Sequence, residues 1–276
     1  MDQEVIKINS YSIRLIGLRE LYCWAILLLI GDYLLAHLST PSAVDRLNIQ
    51  NTLGAFDLLG CAVALWRIRK SEPGPATALE TGLVLILSVL GAVAPQLAPA
   101  ALTVLGGYLL WRPDRNLKAA AAVLLALAAH QLWSRMVFAA TAPLLVNIDA
   151  ALVGEAITHT IAGSTWHDNI IATSQNHAIA VGGPCSSFNN ISLALLAWIS
   201  LTKLERPEWA RRDLVVAGLT IGAQVALNVT RLYIMALSYG LYIYWHDGAG
   251  AQIYAATASA ACVLISVFGA RWAASK

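Results

Sequence analysis

Cys185 lies in the stretch Gly182-Gly183-Pro184-Cys185-Ser186-Ser187, immediately before an apolar run. Glycines let a backbone approach a substrate closely, and proline fits the first turn of a helix. The pattern therefore predicts a thiol at a helix N-terminus, where the helix dipole lowers the pKa of a thiol and favours the nucleophilic thiolate. The alternative is a small buried core residue, the role expected for three cysteines inside apolar runs, Cys23, Cys61 and Cys262.

Arg231 and His246 carry groups that would complete a cysteine-dependent site. Arg231 lies in an apolar run, three residues after Asn228 and on the same helix face. An arginine there costs roughly 2.5–3.5 kcal/mol and usually faces a polar interior. His246 can exchange a proton near neutral pH, and Asp247 is placed to orient its ring. The alternatives are an arginine that extends to the lipid headgroups and an interfacial histidine without a chemical role.

A thiol, a fixed cation and an imidazole together provide the groups that acyl transfer needs. The thiolate attacks a peptide carbonyl, the guanidinium stabilises the oxyanion or the thiolate, and the imidazole protonates the leaving amine. The spacing of His159, His167 and His177 matches no metal motif, and the four cysteines have no ligand spacing. Neither a metal nor a cofactor is therefore predicted.

The composition places these groups in a membrane protein. Of 276 residues, 58% are hydrophobic and 12% charged, and the mean hydropathy is +0.64, whereas soluble domains are about 25% charged. A cytosolic enzyme and a disordered chain are excluded, and a net charge of +2 with scattered basic residues indicates no nucleic-acid surface. We predict an all-α polytopic membrane helix bundle forming a single integral membrane domain over residues 1–276. Its eight predicted spans are 20–38, 52–68, 79–94, 96–111, 118–140, 188–202, 213–240 and 251–270.

The distribution of lysine and arginine predicts the orientation. With a cytoplasmic N-terminus, 15 of the 18 basic residues fall on the cytoplasmic side, and the exceptions are Arg46, Arg135 and Arg231. The segment from Thr141 to Asn190 contains no lysine or arginine, which is typical of a translocated loop. Both termini are therefore predicted to be cytoplasmic, and the three candidate groups to meet at the outer face.

The outer loop, about residues 141–189, is long enough to have its own structure. Apolar residues recur at helical spacing from Leu144 to Ala156, which predicts an amphipathic interfacial helix over residues 143–162. The β-branched runs around Ile170 and from His177 to Val181 predict a small hairpin with residues 174–176 between its strands.

At these motifs the sequence resembles the exosortase/archaeosortase family of polytopic membrane transpeptidases. Members carry Cys-Ser-Gly or a similar triplet at the head of a span, Asn-x-x-Arg in the next span and a histidine in the following outer loop. The triplet Cys185-Ser186-Ser187, the motif from Asn228 to Arg231, and His246 match this pattern in order, spacing and sidedness. Ser187 stands where many members have Gly, and Pro184 where Ala is common, which indicates a divergent subfamily. The resemblance covers most of the chain in layout and is specific over about residues 165–250.

The resemblance implies a cysteine protease or transpeptidase with Cys185 as nucleophile. Arg231 and His246 would complete the catalytic site, with three supporting residues beside them, Asn228, Asp247 and Ser186. Family members cleave membrane-tethered proteins that bear a C-terminal sorting signal, at the outer face of the bacterial cytoplasmic membrane. Two other functions stay open from the sequence: a non-catalytic assembly component of surface-polysaccharide export or synthesis, and acyl transfer to a lipid or sugar.

Overall fold

The computed structural model describes residues 17–38, 54–173 and 177–275, and 81% of these described residues are helical. The predicted all-α class is confirmed. A 3₁₀ turn, Pro95–Leu97, and a π-helical segment, Ala129–Trp133, lie between helices, and a second 3₁₀ turn, Gly183–Cys185, lies between a strand and a helix. Within the described residues the α-helices are α1 (Leu18–Leu38), α2 (Ala55–Arg69), α3 (Ala78–Val93), α4 (Ala98–Leu110), α5 (Arg115–Ala128), α6 (Ser134–Thr160), α7 (Ser187–Glu205), α8 (Arg212–Leu237), α9 (Tyr239–His246) and α10 (Ala249–Ala274).

Helix α7 joins two groups of packed helices. Helices α1 to α5 surround one apolar core, which includes the fully buried side chains of Tyr22, Leu105 and Leu124. Helices α7, α8 and α10 contact one another, and α2 and α5 both contact α7. Between α7 and α10 the buried side chains are small, among them Ala194 and Ala197. Small residues allow the close approach that is typical of membrane helices.

Three helical segments of the described chain are long and apolar enough to cross a membrane: Arg115–Thr160, Arg212–Leu237 and Ala249–Ala274. Each predicted span overlaps a helix, but α2 and α4 contain 15 and 13 residues. At 1.5 Å per residue they extend about 20 Å, less than the hydrocarbon core of about 30 Å. A membrane bundle is supported, whereas eight transmembrane helices stays a prediction.

The predicted fifth span and the predicted interfacial helix form one continuous helical segment of 46 residues. The π-helical segment joins α5 to α6, and Pro143 lies inside α6. The helix predicted over residues 143–162 is therefore the second half of α6 and not a separate element. Packing of buried residues after the proline, such as Val146 and Ala150, holds the helix together there. At about 69 Å the segment extends well beyond the hydrocarbon core.

A three-stranded antiparallel sheet follows α6. Its strands are β1 (Thr165–His167), β2 (Ile170–Thr173) and β3 (His177–Ala180), in the order β1-β2-β3. The two predicted strands correspond to β2 and β3, with Ile171 opposite Ile179, whereas β1 was not predicted. The predicted turn at residues 174–176 and the predicted outer Arg46 lie outside the described residues.

The sheet lies directly on α6. A Cβ atom at Gly154 would be 2.2 Å from Cγ of Trp166 in β1, so only glycine fits at this contact. Ile171 and Ile179 are buried with Ile157 of α6 and Leu232 of α8 in a second apolar cluster. The sheet, α6 and α8 therefore share one hydrophobic cluster, which includes Cys185.

Two buried cations fix the end of α7 that lies opposite Cys185. Lys203 donates from Nζ to the carbonyls of Pro207 (3.2 Å) and Glu208 (2.9 Å), and the nitrogen lies 3.4 Å from the ring centre of Trp209. Arg67 of α2 donates to the carbonyl of Lys203. Backbone carbonyls accept from both buried cations, which fixes this end of α7 relative to α2 and to the segment that follows α7.

Candidate active site

Cys185 ends the 3₁₀ turn Gly183–Cys185, and Ser186 then caps α7. Its backbone N–H donates to the carbonyl of Gly182 at 3.0 Å. The side chain is 9% exposed and packs in the cluster that contains Val181 and Met235. The nucleophile predicted at a helix N-terminus therefore lies one residue before the helix cap, largely covered by apolar groups.

Asn228 of α8 holds the backbone around Cys185. Its Nδ2 donates to the Cys185 carbonyl at 2.8 Å and to the Ser187 hydroxyl at 3.0 Å. Its Oδ1 accepts from the Tyr254 hydroxyl at 3.2 Å, and that hydroxyl accepts from Nδ2 of Asn190 at 2.8 Å. Because both ends of the buried amide are bonded, Asn228 fixes the turn relative to α8 and α10.

Arg231 is half-buried three residues further along α8. Its Nε donates to the carbonyl of Trp245 at 3.0 Å, and its Cζ lies 4.8 Å from the ring centre of Tyr254. Both contacts hold the guanidinium inside the protein, unlike Arg135, which is exposed. The Nη atoms of Arg231 form no hydrogen bond within the described part of the chain, so two donor groups are available to a ligand.

His246 is the last residue of α9 and follows the carbonyl that Arg231 binds. Its Nδ1 lies 2.8 Å from Oδ1 of Asp247, and its ring stacks on Tyr242 with centres 5.0 Å apart. A carboxylate only accepts hydrogen bonds, so this pairing places a proton on Nδ1. Nε2 is then the atom that can accept a proton in neutral histidine.

Helix α8 brings the predicted residues to one end of the bundle. Asn228 contacts the Cys185 turn, and Arg231 contacts the helix that carries His246. Within residues 17–38, 54–173 and 177–275, no hydrogen bond joins the Cys185 sulfur to His246 or to Arg231. The three groups therefore lie at the same end of the bundle without being hydrogen-bonded to one another.

Burial raises the pKa of the Cys185 thiol above its ordinary value. The positive charge of Arg231 opposes this effect, and the negative charges of Asp247 and Asp149 add to it. The lowered pKa predicted from the helix N-terminus is therefore wrong, because desolvation of the thiolate outweighs the favourable field.

This environment predicts how Cys185 reacts with an impermeant maleimide added to the outer side. The labelling rate should rise about tenfold per pH unit up to a midpoint above that of a free thiol, because only the thiolate reacts. Arg231→Gln should move the midpoint to higher pH, since a cation that favours the thiolate is lost. Labelling rates measured from pH 6 to pH 11 by mass spectrometry would check this.

Arg135→Gln is the matched control, because it removes an exposed arginine. Cys61 and Cys262 are buried inside helices and should stay unlabelled. Equal midpoints in the Arg231→Gln and Arg135→Gln proteins would contradict the proximity of Arg231 to the thiol.

Two residues of the site were not singled out from the sequence. Asp149 of α6 accepts from the Ser186 hydroxyl at 2.9 Å and from the Ser187 N–H at 2.8 Å. Tyr254 of α10 contacts both Asn228 and Arg231. The sequence could have indicated Asp149 as a candidate, because it is an acidic residue on the apolar face of a predicted helix. Tyr254 resembles any other aromatic residue near the end of a span.

The loop histidines have separate partners. His159 pairs with Glu155 at 3.0 Å, His167 lies 3.3 Å from Asp168, and His177 lies 3.1 Å from the Met235 carbonyl. Among the described residues there is no group of three His, Cys, Asp or Glu side chains placed to hold a metal ion.

The sequence model of the family described as transmembrane exosortase matches residues 46–265. This range covers most of the chain and includes Cys185, Arg231 and His246. Searches among curated proteins and among solved structures gave no match. The match over residues 46–265 shows that the chain belongs to the transmembrane exosortase family.

Proposed function

We propose that this protein is a membrane-embedded cysteine transpeptidase or protease that cleaves C-terminal sorting signals of exported proteins. The observation that carries the proposal is that α8 is hydrogen-bonded both to the turn that contains Cys185 and to the helix that carries His246. Asn228 is bonded to the carbonyl of Cys185, and Arg231 to the carbonyl before His246. One helix face thus aligns a nucleophile, a cation and a proton carrier, and membership of the exosortase family supports the same chemistry.

In the first step, His246 takes the thiol proton and the Cys185 sulfur attacks the scissile carbonyl carbon. The new C–S bond turns the carbonyl oxygen into an oxyanion, to which the two unoccupied Nη groups of Arg231 donate. His246 then gives its proton to the leaving amine as the C–N bond breaks. A thioester on Cys185 remains, and the C-terminal part of the signal leaves.

In the second step, water or an amine attacks the thioester carbon. His246 takes the proton of the attacking group and returns it to the sulfur as the C–S bond breaks. Water makes the protein a protease, and an amine makes it a transpeptidase. Asp247 keeps the same ring nitrogen of His246 available in both steps.

The charge distribution of the chain supports a site on the outer side of a bacterial cytoplasmic membrane. Residues 141–190, which include Asp149 and Cys185, carry no lysine or arginine. At the far end of α7, basic residues Arg67, Lys203 and Arg206 cluster together. We therefore place both termini and this basic end in the cytoplasm.

A covalent intermediate tests the proposal directly. A precursor whose processing by the wild-type protein has been established would be incubated with it in liposomes and quenched in acid. We expect a Cys185 peptide that carries a substrate fragment and loses it in neutral hydroxylamine, which cleaves thioesters. Peptide mass spectrometry provides the measurement.

The Cys262→Ser protein should form the same adduct and serves as the control. Processing without any adduct on Cys185, after rapid quenching, would contradict the proposal. The alternative, a non-catalytic membrane assembly component, is supported by the apolar packing of Cys185 among Val181 and Met235, and it predicts that liposomes containing this protein process no precursor at all.

A further inference from the structure

Asp149 is a buried carboxylate without a counter-ion. It is 3% exposed on α6, in a row with Val146 and Val153. In the described portion of the chain no lysine, arginine or histidine forms an ion pair with it. Burying a carboxylate in this way costs several kcal/mol unless strong hydrogen bonds replace the lost water. The hydrogen bonds that the Asp149 carboxylate accepts therefore indicate its role.

Both of these bonds go to the residues that follow Cys185. Oδ2 of Asp149 accepts from the Ser186 hydroxyl at 2.9 Å and from the Ser187 N–H at 2.8 Å. The same Ser186 hydroxyl accepts from the Phe188 N–H at 3.3 Å. Asp149 thus satisfies the free donors at the N-terminus of α7, and the positive end of this helix favours its charge.

The Cys185 turn is consequently clamped from two sides. On one side, α6 holds Ser186 and Ser187 through Asp149. On the other side, α8 holds the Cys185 carbonyl through Asn228. Because Arg231 lies on the same face of α8 as Asn228, the two clamps together set the position of the thiol relative to the guanidinium.

We propose that Asp149 is a positioning residue for the nucleophile, which fixes the turn that carries Cys185 through its bonds to Ser186 and Ser187. Its negative charge also lies close enough to the sulfur to favour the neutral thiol. This role rests on the proposed function of Cys185. The carboxylate acts through Ser186, Ser187 and the field at the sulfur, and it does not contact the substrate. Burial of the thiol is the main reason that its pKa is raised, and the charge of Asp149 adds to that effect.

Several groups contribute to the field at the sulfur. Arg231 of α8 favours the thiolate, whereas Asp149 of α6 and Asp247 after α9 disfavour it. Further titratable groups lie on the elements packed against the turn, among them Tyr233 on α8, Tyr242 and His246 on α9, Tyr254 on α10 and His177 on β3. Among these groups Asp149 is the one that also bonds to the turn, so charge and hydrogen bonding can be separated by mutation.

The test measures maleimide labelling of Cys185 against pH in the full-length protein in liposomes, together with processing of an established precursor. Asp149→Asn keeps an acceptor oxygen but removes the charge, and should lower the labelling midpoint, by less than Arg231→Gln raises it, because the charge of Arg231 has the larger effect on the thiol. Ser186→Ala keeps the charge but removes one bond of the clamp. It should leave the midpoint unchanged and reduce processing several-fold. Asp149→Ala should lower the midpoint and also reduce processing by at least about tenfold, because both bonds are lost.

Glu155→Gln provides the matched control, since it removes an exposed carboxylate from the same helix. An Asp149→Asn midpoint equal to that of Glu155→Gln would overturn the inference. A labelling rate that rises equally at every pH, without movement of the midpoint, would report only an opened site and would overturn it as well. The two proposals fail on different measurements. Normal processing by a Cys185→Ala protein would refute the proposed function. It would not change the labelling midpoints, because labelling of Cys185 needs no substrate.

Discussion

Cells that produce the Cys185→Ala protein are expected to accumulate uncleaved precursor, with processing reduced by at least about 10⁴-fold, because the atom that forms the thioester is gone. The fold should tolerate the change. Asn228 bonds to the backbone carbonyl of residue 185, which the variant keeps. The loss of one buried sulfur costs only on the order of 1 kcal/mol. Immunoblots of precursor and product, in membranes with equal amounts of full-length protein, provide the measurement.

Cys262→Ala is the control for the loss of a buried thiol. Cys262 is also buried, with 2% exposed against 9% for Cys185, and its sulfur donates to the carbonyl of Ala194 at 3.7 Å inside the helix bundle. Processing by this variant should be normal. If the Cys185→Ala protein also processed the precursor at the normal rate, the catalytic proposal would be refuted, and a scaffold role would be the better account.

Motifs with a fixed helical spacing were the most predictable part of the site. Asn228 and Arg231 are three residues apart, which places them on one face of any helix, and both project toward the Cys185 end of the bundle. Ser186 is a strong helix cap, so the start of α7 could be located to within a residue. These features are local, and local sequence determines them.

The parts that could not be predicted depend on contacts between distant elements. Pro143 normally marks the end of a helix, yet α6 continues through it because Val146 and Ala150 pack against the rest of the protein. Strand β1 has only three residues, and it is held by pairing with β2 and by the space above Gly154. The contact with Gly154 of α6, unlike the pairing with the neighbouring β2, is made by a different element and is not visible in the local sequence.

The charge state of the nucleophile shows the same limit. Sequence indicates that Cys185 precedes a helix, which alone predicts a lowered pKa. The structure adds the apolar cover of β2 and β3 and the carboxylate of Asp149, and the pKa is raised. Asp149 and most of the apolar cover belong to other elements of the fold, so the direction of the pKa change requires the packed structure.

Arg231 is the second position where a large loss is expected. Arg231→Gln should reduce kcat for precursor cleavage by about 10²–10³-fold with little change in KM, because donors to the oxyanion act mainly in the transition state. Arg231→Lys should lose nearly as much. An ammonium keeps the charge but cannot donate to the Trp245 carbonyl, lie flat over Tyr254 and present two further donors at once. Initial rates with purified protein in liposomes separate kcat from KM.

The lysine variant distinguishes catalysis from anchoring. An arginine that only extends to the lipid headgroups can be replaced by lysine without loss, so full activity of Arg231→Lys would refute the proposed role. Arg135→Lys, at an exposed position in α6, should retain full activity.

Tyr254→Phe keeps the ring under the guanidinium and removes only the hydroxyl bonded to Asn228. The Tyr254→Phe protein should therefore lose less activity than the Arg231→Lys protein. The guanidinium stays over the ring, and only the hydrogen bond that supports Asn228 is lost.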